Sequence, residues 1–198
     1  MRRPRRGPGA ASSTAGTTGV VATLALSLAL AGCTQPDPTL LDADDVEGVV
    51  EATHDADEAT APGWTWCSPL DPYAYFRLTP TSRLRFDGRA SAGATIVDRS
   101  ADGYSSDYLL AAFEEKAQLC VDGLNAADGD TIEPLTGLGA DTVGWRTETA
   151  EGGQGELALI RLDDARLLVV GVETDQAELP VSLDELIRLA REGAERVG

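Results

Sequence analysis

The feature that most constrains what this chain can fold into lies near its start, and it acts by subtraction. Val20 to Ala31 is an apolar run of about a dozen residues, broken by Thr23 and Ser27 and closed by Gly32-Cys33. Ahead of it, Met1 to Arg6 carries Arg2, Arg3, Arg5 and Arg6 and no acid. A basic start, an apolar centre and small residues at its end form the three-part layout of a secretory signal. The run is too short to span a bilayer, since about twelve helical residues reach roughly 18 Å against about 30 Å of hydrocarbon. Residues 1–32 are therefore expected to be removed, leaving the fold to the chain from Cys33 onward.

Leu30-Ala31-Gly32-Cys33 resembles a bacterial lipobox. In that family a diacylglyceryl group is attached to the cysteine sulfur and the chain is cut just before it. The resemblance implies Cys33 as the lipidation site, the membrane as a partner through that lipid, and a place on the outer face of the cell membrane. The alternative is a plain small-residue cleavage site with an incidental cysteine. Twin-arginine export fits less well, because Arg2-Arg3 and Arg5-Arg6 lack the polar and apolar residues that follow such pairs. Pro36 and Pro38 bar helix and ladder from the next stretch, so residues 33–39 read as a tether and 40–198 as one domain.

Cleavage changes the charge. Loss of four basic residues leaves twelve against 33 acids, near −21 in place of −17. An excess of that sign excludes nucleic acid as a partner and excludes lying on an anionic leaflet through a basic face. It keeps a tethered domain standing off the surface, and leaves cations or basic partners open. Cysteine count adds a constraint. With Cys33 set aside, Cys67 and Cys120 remain as a pair in an exported chain, where disulfides persist. Closing that loop of about fifty residues is worth about 4 kcal/mol in the chain-entropy model. Two buried free thiols are the alternative.

In chain order, Leu40 to Val50 reads as a short helix with Asp42 as N-cap and acids in its first turn. Glu51 to Gly63 reads as a loop. It holds the sole histidine, His54, beside Asp55, Asp57 and Glu58, a solvated acidic run and not a metal site, since no second nitrogen or sulfur ligand accompanies it. Residues 64–76 concentrate five of the ten aromatics, with Trp64 and Trp66, then Tyr73 and Tyr75, at strand spacing. Two readings stay open. The rings supply bulk to a core of small residues, or they form a ligand-facing wall, which makes these four the candidate ligand-binding residues.

Ser82 to Phe86 and Ala92 to Asp98 read as strands around Asp87-Gly88, with Arg83 and Arg85 on one face and Arg89 nearby. Those arginines fit a solvated face paired with acids better than an anion site. Leu109, Leu110, Phe113, Ala117 and Cys120 recur at helical spacing, predicting a helix over 106–123 started by Ser105 or Ser106. Thr142–Thr149, Gly155–Leu162 and Arg166–Glu173 read as three strands with short antiparallel connections, and the run Leu167 to Val170 as a strand buried on both faces. Gly137-Leu138-Gly139-Ala140 lacks the third glycine and the following helix of a nucleotide loop, and is a turn. Ser182-Leu183-Asp184-Glu185 is a capping box opening a final helix with its stripe at Leu183, Leu186, Ile187, Ala190, Ala194 and Val197.

Two short motifs, Leu40-Leu41-Asp42-Ala43-Asp44-Asp45-Val46 and Gly137-Leu138-Gly139-Ala140-Asp141, together with this order of elements, resemble small actinobacterial lipoproteins of unassigned role. More distantly they resemble the extracellular sensor domain of PknH-type serine/threonine kinases, over roughly residues 40–197. The resemblance implies an α+β fold, a twisted antiparallel sheet with two or three helices packed on it, bordering a cleft that binds a ligand without chemistry. The kinase sensors typically carry two disulfides, and here one is available. One histidine in an acidic loop and two cysteines committed to each other leave no acid–base or nucleophilic set. The chain is thus expected to be a tethered binding or sensing module, not an enzyme, with no cofactor and no metal, for an unknown small molecule or envelope protein. A structural or chaperone-like partner of envelope proteins is the rival, and a broad exposed apolar patch would mark it. A hydrolase is a weaker third.

Overall fold

The computed structural model describes residues 39–54, 78–98, 101, 103–122 and 129–198. Seven strands make one antiparallel sheet: β1 (Val49–Thr53), β2 (Leu78–Phe86), β3 (Ser91–Asp98), β4 (Thr131–Pro134), β5 (Thr142–Glu148), β6 (Gln154–Arg161) and β7 (Arg166–Thr174). Their spatial order is β1-β2-β3-β7-β6-β5-β4. Each meander, β1 to β3 and β4 to β7, pairs strands that are neighbours in sequence. The two are joined where β3 pairs with β7 in unbroken register from Ser91↔Glu173 to Asp98↔Arg166.

A helix covers each face. α1 (Ser106–Val121) follows β3, and α2 (Leu183–Val197) follows β7. Strand alternation sorts the core into two layers. Ala158, Ile160, Leu168, Val170 and Val172 pack with Leu186 and Ala190 of α2. The intervening Leu157, Leu159, Leu167 and Val169 pack with Leu109 and Phe113 of α1. β7 lies mid-sheet between the helices, which is why its sequence is apolar at consecutive positions, as the run Leu167 to Val170 predicts. The fold is α+β, with two α-helices among the described residues.

The first segment departs from expectation. Leu40 to Val50 is not a helix: Asp42 Oδ1 accepts from Asp44 N at 3.1 Å, but the turn it caps is a 3₁₀ turn of three residues, Ala43–Asp45. The chain then enters β1, with Val49 opposite Phe86 and Thr53 opposite Arg83. Two adjacent β-branched valines favour the extended state, and ladder bonds to β2 settle it. Glu51 to Thr53, expected as the start of a loop, therefore belong to β1. β4, four residues ending on Pro134, falls in a stretch that reads as loop; it forms the opposite edge strand, where a missing N–H is tolerated.

Leu40 and Leu41 are buried under α2, and one side chain holds them. Ser82 Oγ, 1% exposed as a residue, accepts from Leu40 N and Leu41 N, both at 3.1 Å. His54 Nδ1 lies 3.3 Å from the same oxygen. With both lone pairs taken, the hydroxyl proton goes to His54 Nδ1. α2 admits the segment because residue 193 is glycine: a Cβ there would sit 2.1 Å from Leu40 O.

The capping box is half realised. Ser182 Oγ accepts from Glu185 N at 3.3 Å, while the Glu185 carboxylate takes Arg188 at 2.7 Å instead of returning to the cap. That pair holds Glu185 below its usual carboxylate range, chiefly through the hydrogen bond from Arg188. The buried stripe of α2 includes Leu189 and Gly193, while Ile187 and Val197 are only partly buried against it. Ser105 Oγ accepts from Tyr108 N at 3.3 Å, choosing Ser105 as the cap of α1.

Candidate functional site

On the α2 face, β5 and β6 continue past the ground that α2 covers. In register, Arg146 stands opposite Glu156 and Glu148 opposite Gln154. Alternation points all four to the side carrying Ala158 and Ile160. They floor a cleft of about 780 Å³, walled by Leu135 to Leu138 on one side and by Ala177 to Asp184, with the first turn of α2, on the other. The first wall is fixed by Leu135 N donating to Gly144 O at 2.8 Å. Leu138 seats against Gly144, where any Cβ would come within 2.7 Å of its Cδ1.

The floor carries one buried charge. Glu156 is 8% exposed, and its Oε1 takes both Arg146 Nε at 2.8 Å and Nη2 at 2.5 Å. The Arg146 side chain is 59% exposed. A carboxylate buried to this extent needs a paired donor to stay ionised, and Arg146 provides it from the solvent side. Such a pair is a poor stabiliser compared with an apolar pair of like volume, so its place on a cleft floor favours a role in recognition. Leu135, Leu138, Leu179 and Val181 supply apolar area around it, the mixture of apolar walls and few polar groups usual in ligand sites.

The sequence alone does not single out these residues. Glu156 leaves one signal: it shares the parity of Ala158 and Ile160, so a carboxylate precedes two apolar residues on the core-facing side of the strand. Its partner depends on the β5–β6 register, which the sequence leaves open.

The residues that the sequence does single out are placed as follows. Cys33, Cys67, Trp64, Trp66, Tyr73 and Tyr75 lie outside the described residues, and Cys120 falls in the last turn of α1. Arg83 and Arg85 do share one face, opposite to Leu84 and Phe86, and Arg85 bonds Glu51 at 2.6 and 2.8 Å. Arg89 Nε stands 4.0 Å from Asp175. Two smaller hollows of about 570 and 390 Å³ adjoin this region and share Arg89 and Glu173. His54 serves the Ser82 node. Among the described residues no cluster of three or more His, Cys, Asp or Glu is arranged to hold a metal, and no helix is long and apolar enough to cross a membrane.

No family model matches the sequence, and no curated protein matches it significantly. Among solved structures, the extracellular domain of PknH from Mycobacterium tuberculosis is similar at a TM-score of 0.39 and 16% identity, covering 74% of this chain and 82% of that one. The resemblance is distant.

Proposed function

We propose that this chain is a lipid-anchored extracytoplasmic binding or sensing module that holds its ligand in the α2-face cleft and performs no catalysis. The observation that carries the reading is the cleft itself, with the Arg146–Glu156 pair set into its floor between apolar walls. The anchor rests on Leu30-Ala31-Gly32-Cys33 at the end of the apolar run.

Two further observations support a module that binds without chemistry. The Ser82–His54 pair has the composition of a nucleophile and base, but the Ser82 hydroxyl is buried and already accepts two N–H groups. A hydroxyl buried and held in this way is not presented to a substrate. The rival role as a structural partner calls for a broad apolar patch. The exposed large apolar side chains among the described residues are Val50, Tyr104, Tyr108 and Leu119, of which Tyr104 and Tyr108 stack at 5.0 Å between centroids. A pair of rings is a small patch for that purpose.

The test is a chemically mixed fragment library applied to ¹⁵N-labelled full chain in detergent. Shifts gathered on the amides of 135–138, 146–156 and 177–184 are expected; hits that map elsewhere, or no hits, would overturn the assignment of the cleft. For the anchor, Cys33→Ala is expected to abolish incorporation of labelled fatty acid, and unchanged labelling would refute it.

A further inference from the structure

Resting on that reading of the anchor and the cleft, we infer where the occupant of the cleft comes from: α2 holds the cleft on the far side of the domain from the bilayer, and the site takes a water-soluble small molecule, not a lipid or its headgroup. The two ends of α2 carry the argument. Its first turn borders the cleft, with Ser182, Leu183 and Asp184 among the lining residues. Its last turns receive the chain that arrives from the tether. Leu40 packs on Gly193, and Arg196 Nη2 donates to Thr39 O at 3.3 Å. Followed from Leu40 back to Thr39, the chain runs toward the end of α2 opposite the cleft.

Lengths decide what this attachment allows. Asp184 and Arg196 are twelve positions apart on α2, about 18 Å along its axis. A lipid on Cys33 starts below a headgroup layer about 5–7 Å thick. To bring the cleft against the headgroups, the tether would have to carry Thr39 about 24 Å from its anchor. Cys33 to Thr39 is six residue steps, which reach about 20–22 Å at full extension. The inverted pose is out of reach, and poses near it use up the tether's conformational freedom. The attachment does not slide, because the buried Ser82 Oγ accepts from both Leu40 N and Leu41 N. Without that hold the tether would run on to β1 at Val49 and more than double in length.

The cleft thus opens to the aqueous side, and its lining fits a solute. A volume of about 780 Å³ is in the range of small-molecule sites. Leu135, Leu138, Leu179 and Val181 supply apolar walls, and Arg146 and Gln154 present polar groups on the floor. An acyl chain calls for a slot that is apolar throughout. Laid on this floor, it would strip water from the Arg146–Glu156 pair and give no hydrogen bond in return.

The test uses the lipidated protein from the envelope, ¹⁵N-labelled and reconstituted in phosphatidylcholine nanodiscs doped with a nitroxide-headgroup lipid. Amide signals of Leu40, Leu41 and Ala194 are expected to be lost to paramagnetic broadening, while those of Gly137, Leu138 and Leu179 persist. Loss at the cleft as great as at Leu40 overturns the orientation and makes the bilayer the source of the occupant, with the cleft reading left standing. Protein that does not partition into the discs refutes the anchor, and this inference with it. A long Gly-Ser insertion after Thr34 is expected to extend the broadening to the cleft; broadening that the insertion leaves unchanged overturns the role given to tether length. Water-soluble hits of the mixed fragment library are expected to bind the disc-held protein within about two-fold of their affinity in detergent. A loss of about ten-fold or more on the discs overturns the aqueous source. Hits that map outside the cleft remove the cleft reading and the occupant with it, whatever orientation the discs report.

Discussion

Replacing Gly193 by alanine would ordinarily stabilise a helix, by about 1 kcal/mol on propensity alone. In α2 the sign is expected to reverse. The new Cβ would lie 2.1 Å from Leu40 O and 2.6 Å from Leu40 C and Cα, all backbone atoms that no rotamer change can clear. Leu40 is 0% exposed, and Ser82 holds its N–H and that of Leu41. The segment must back away by about 1 Å or more to restore normal contact. Full loss of the two leucines would cost about 1.5–3 kcal/mol each, and of the two hydrogen bonds about 0.5–1.5 kcal/mol each. If roughly half is lost, net destabilisation after the propensity gain is about 1–3.5 kcal/mol, a fall of about 2–14 °C in Tm for a domain of this size. Thermal melts of Gly193→Ala beside wild type measure it. A Tm that holds or rises would show that residues 40 and 41 are not held against α2, and that the chain's N-terminal attachment lies elsewhere.

Three other outcomes follow from particular side chains. Ser82→Ala leaves the N–H groups of Leu40 and Leu41 buried without an acceptor, at about 1–3 kcal/mol each; combined with Gly193→Ala in urea titrations its cost is expected to be less than additive, because both release the same segment. In the β6–β7 turn, burial pushes the Asp163 carboxyl up, but hydrogen bonds from Ala165 N, from the Arg166 guanidinium and from Arg166 N together hold it below its ordinary value. Its stabilisation is therefore complete above the unfolded value and lost as pH falls through the folded one, so the gap in Tm between wild type and Asp163→Asn is expected to hold from pH 7 down and to shrink only as pH falls below the ordinary value of 3.8; a gap that stays constant into the acid range below that value contradicts this. Peptide mapping of non-reduced protein from the envelope is expected to find Cys67 linked to Cys120, and two free thiols there would refute the pairing.

Residues whose partners are near in sequence were the most legible. The strands of the second meander from β5 onward, the continuous apolar run of β7 and the start of α2 at Ser182 all follow from local spacing and capping chemistry. β1 was not legible, because Val49 to Thr53 trails an acidic stretch that imitates a helix start, and its strand state is set by pairing with β2 some thirty residues away. Gly193 broke the expected stripe of α2 for the same reason: its use is visible only when Leu40 lies against it. The cleft was hidden most fully. Arg146 and Glu156 look like ordinary polar positions until register sets them face to face, and the cleft they floor exists because α2 covers only part of its side of the sheet.

If this cleft is where the protein binds, filling it must abolish binding while sparing the fold. Gln154 lies on the floor and its side chain makes no hydrogen bond among the described residues, so Gln154→Trp inserts an indole without removing an internal partner. Affinity for cleft-directed fragments is expected to fall at least about ten-fold in this variant, with Tm within about 4 °C of wild type, the scale of about 1 kcal/mol. Unchanged affinity in a variant that remains folded would place the binding site elsewhere on the molecule.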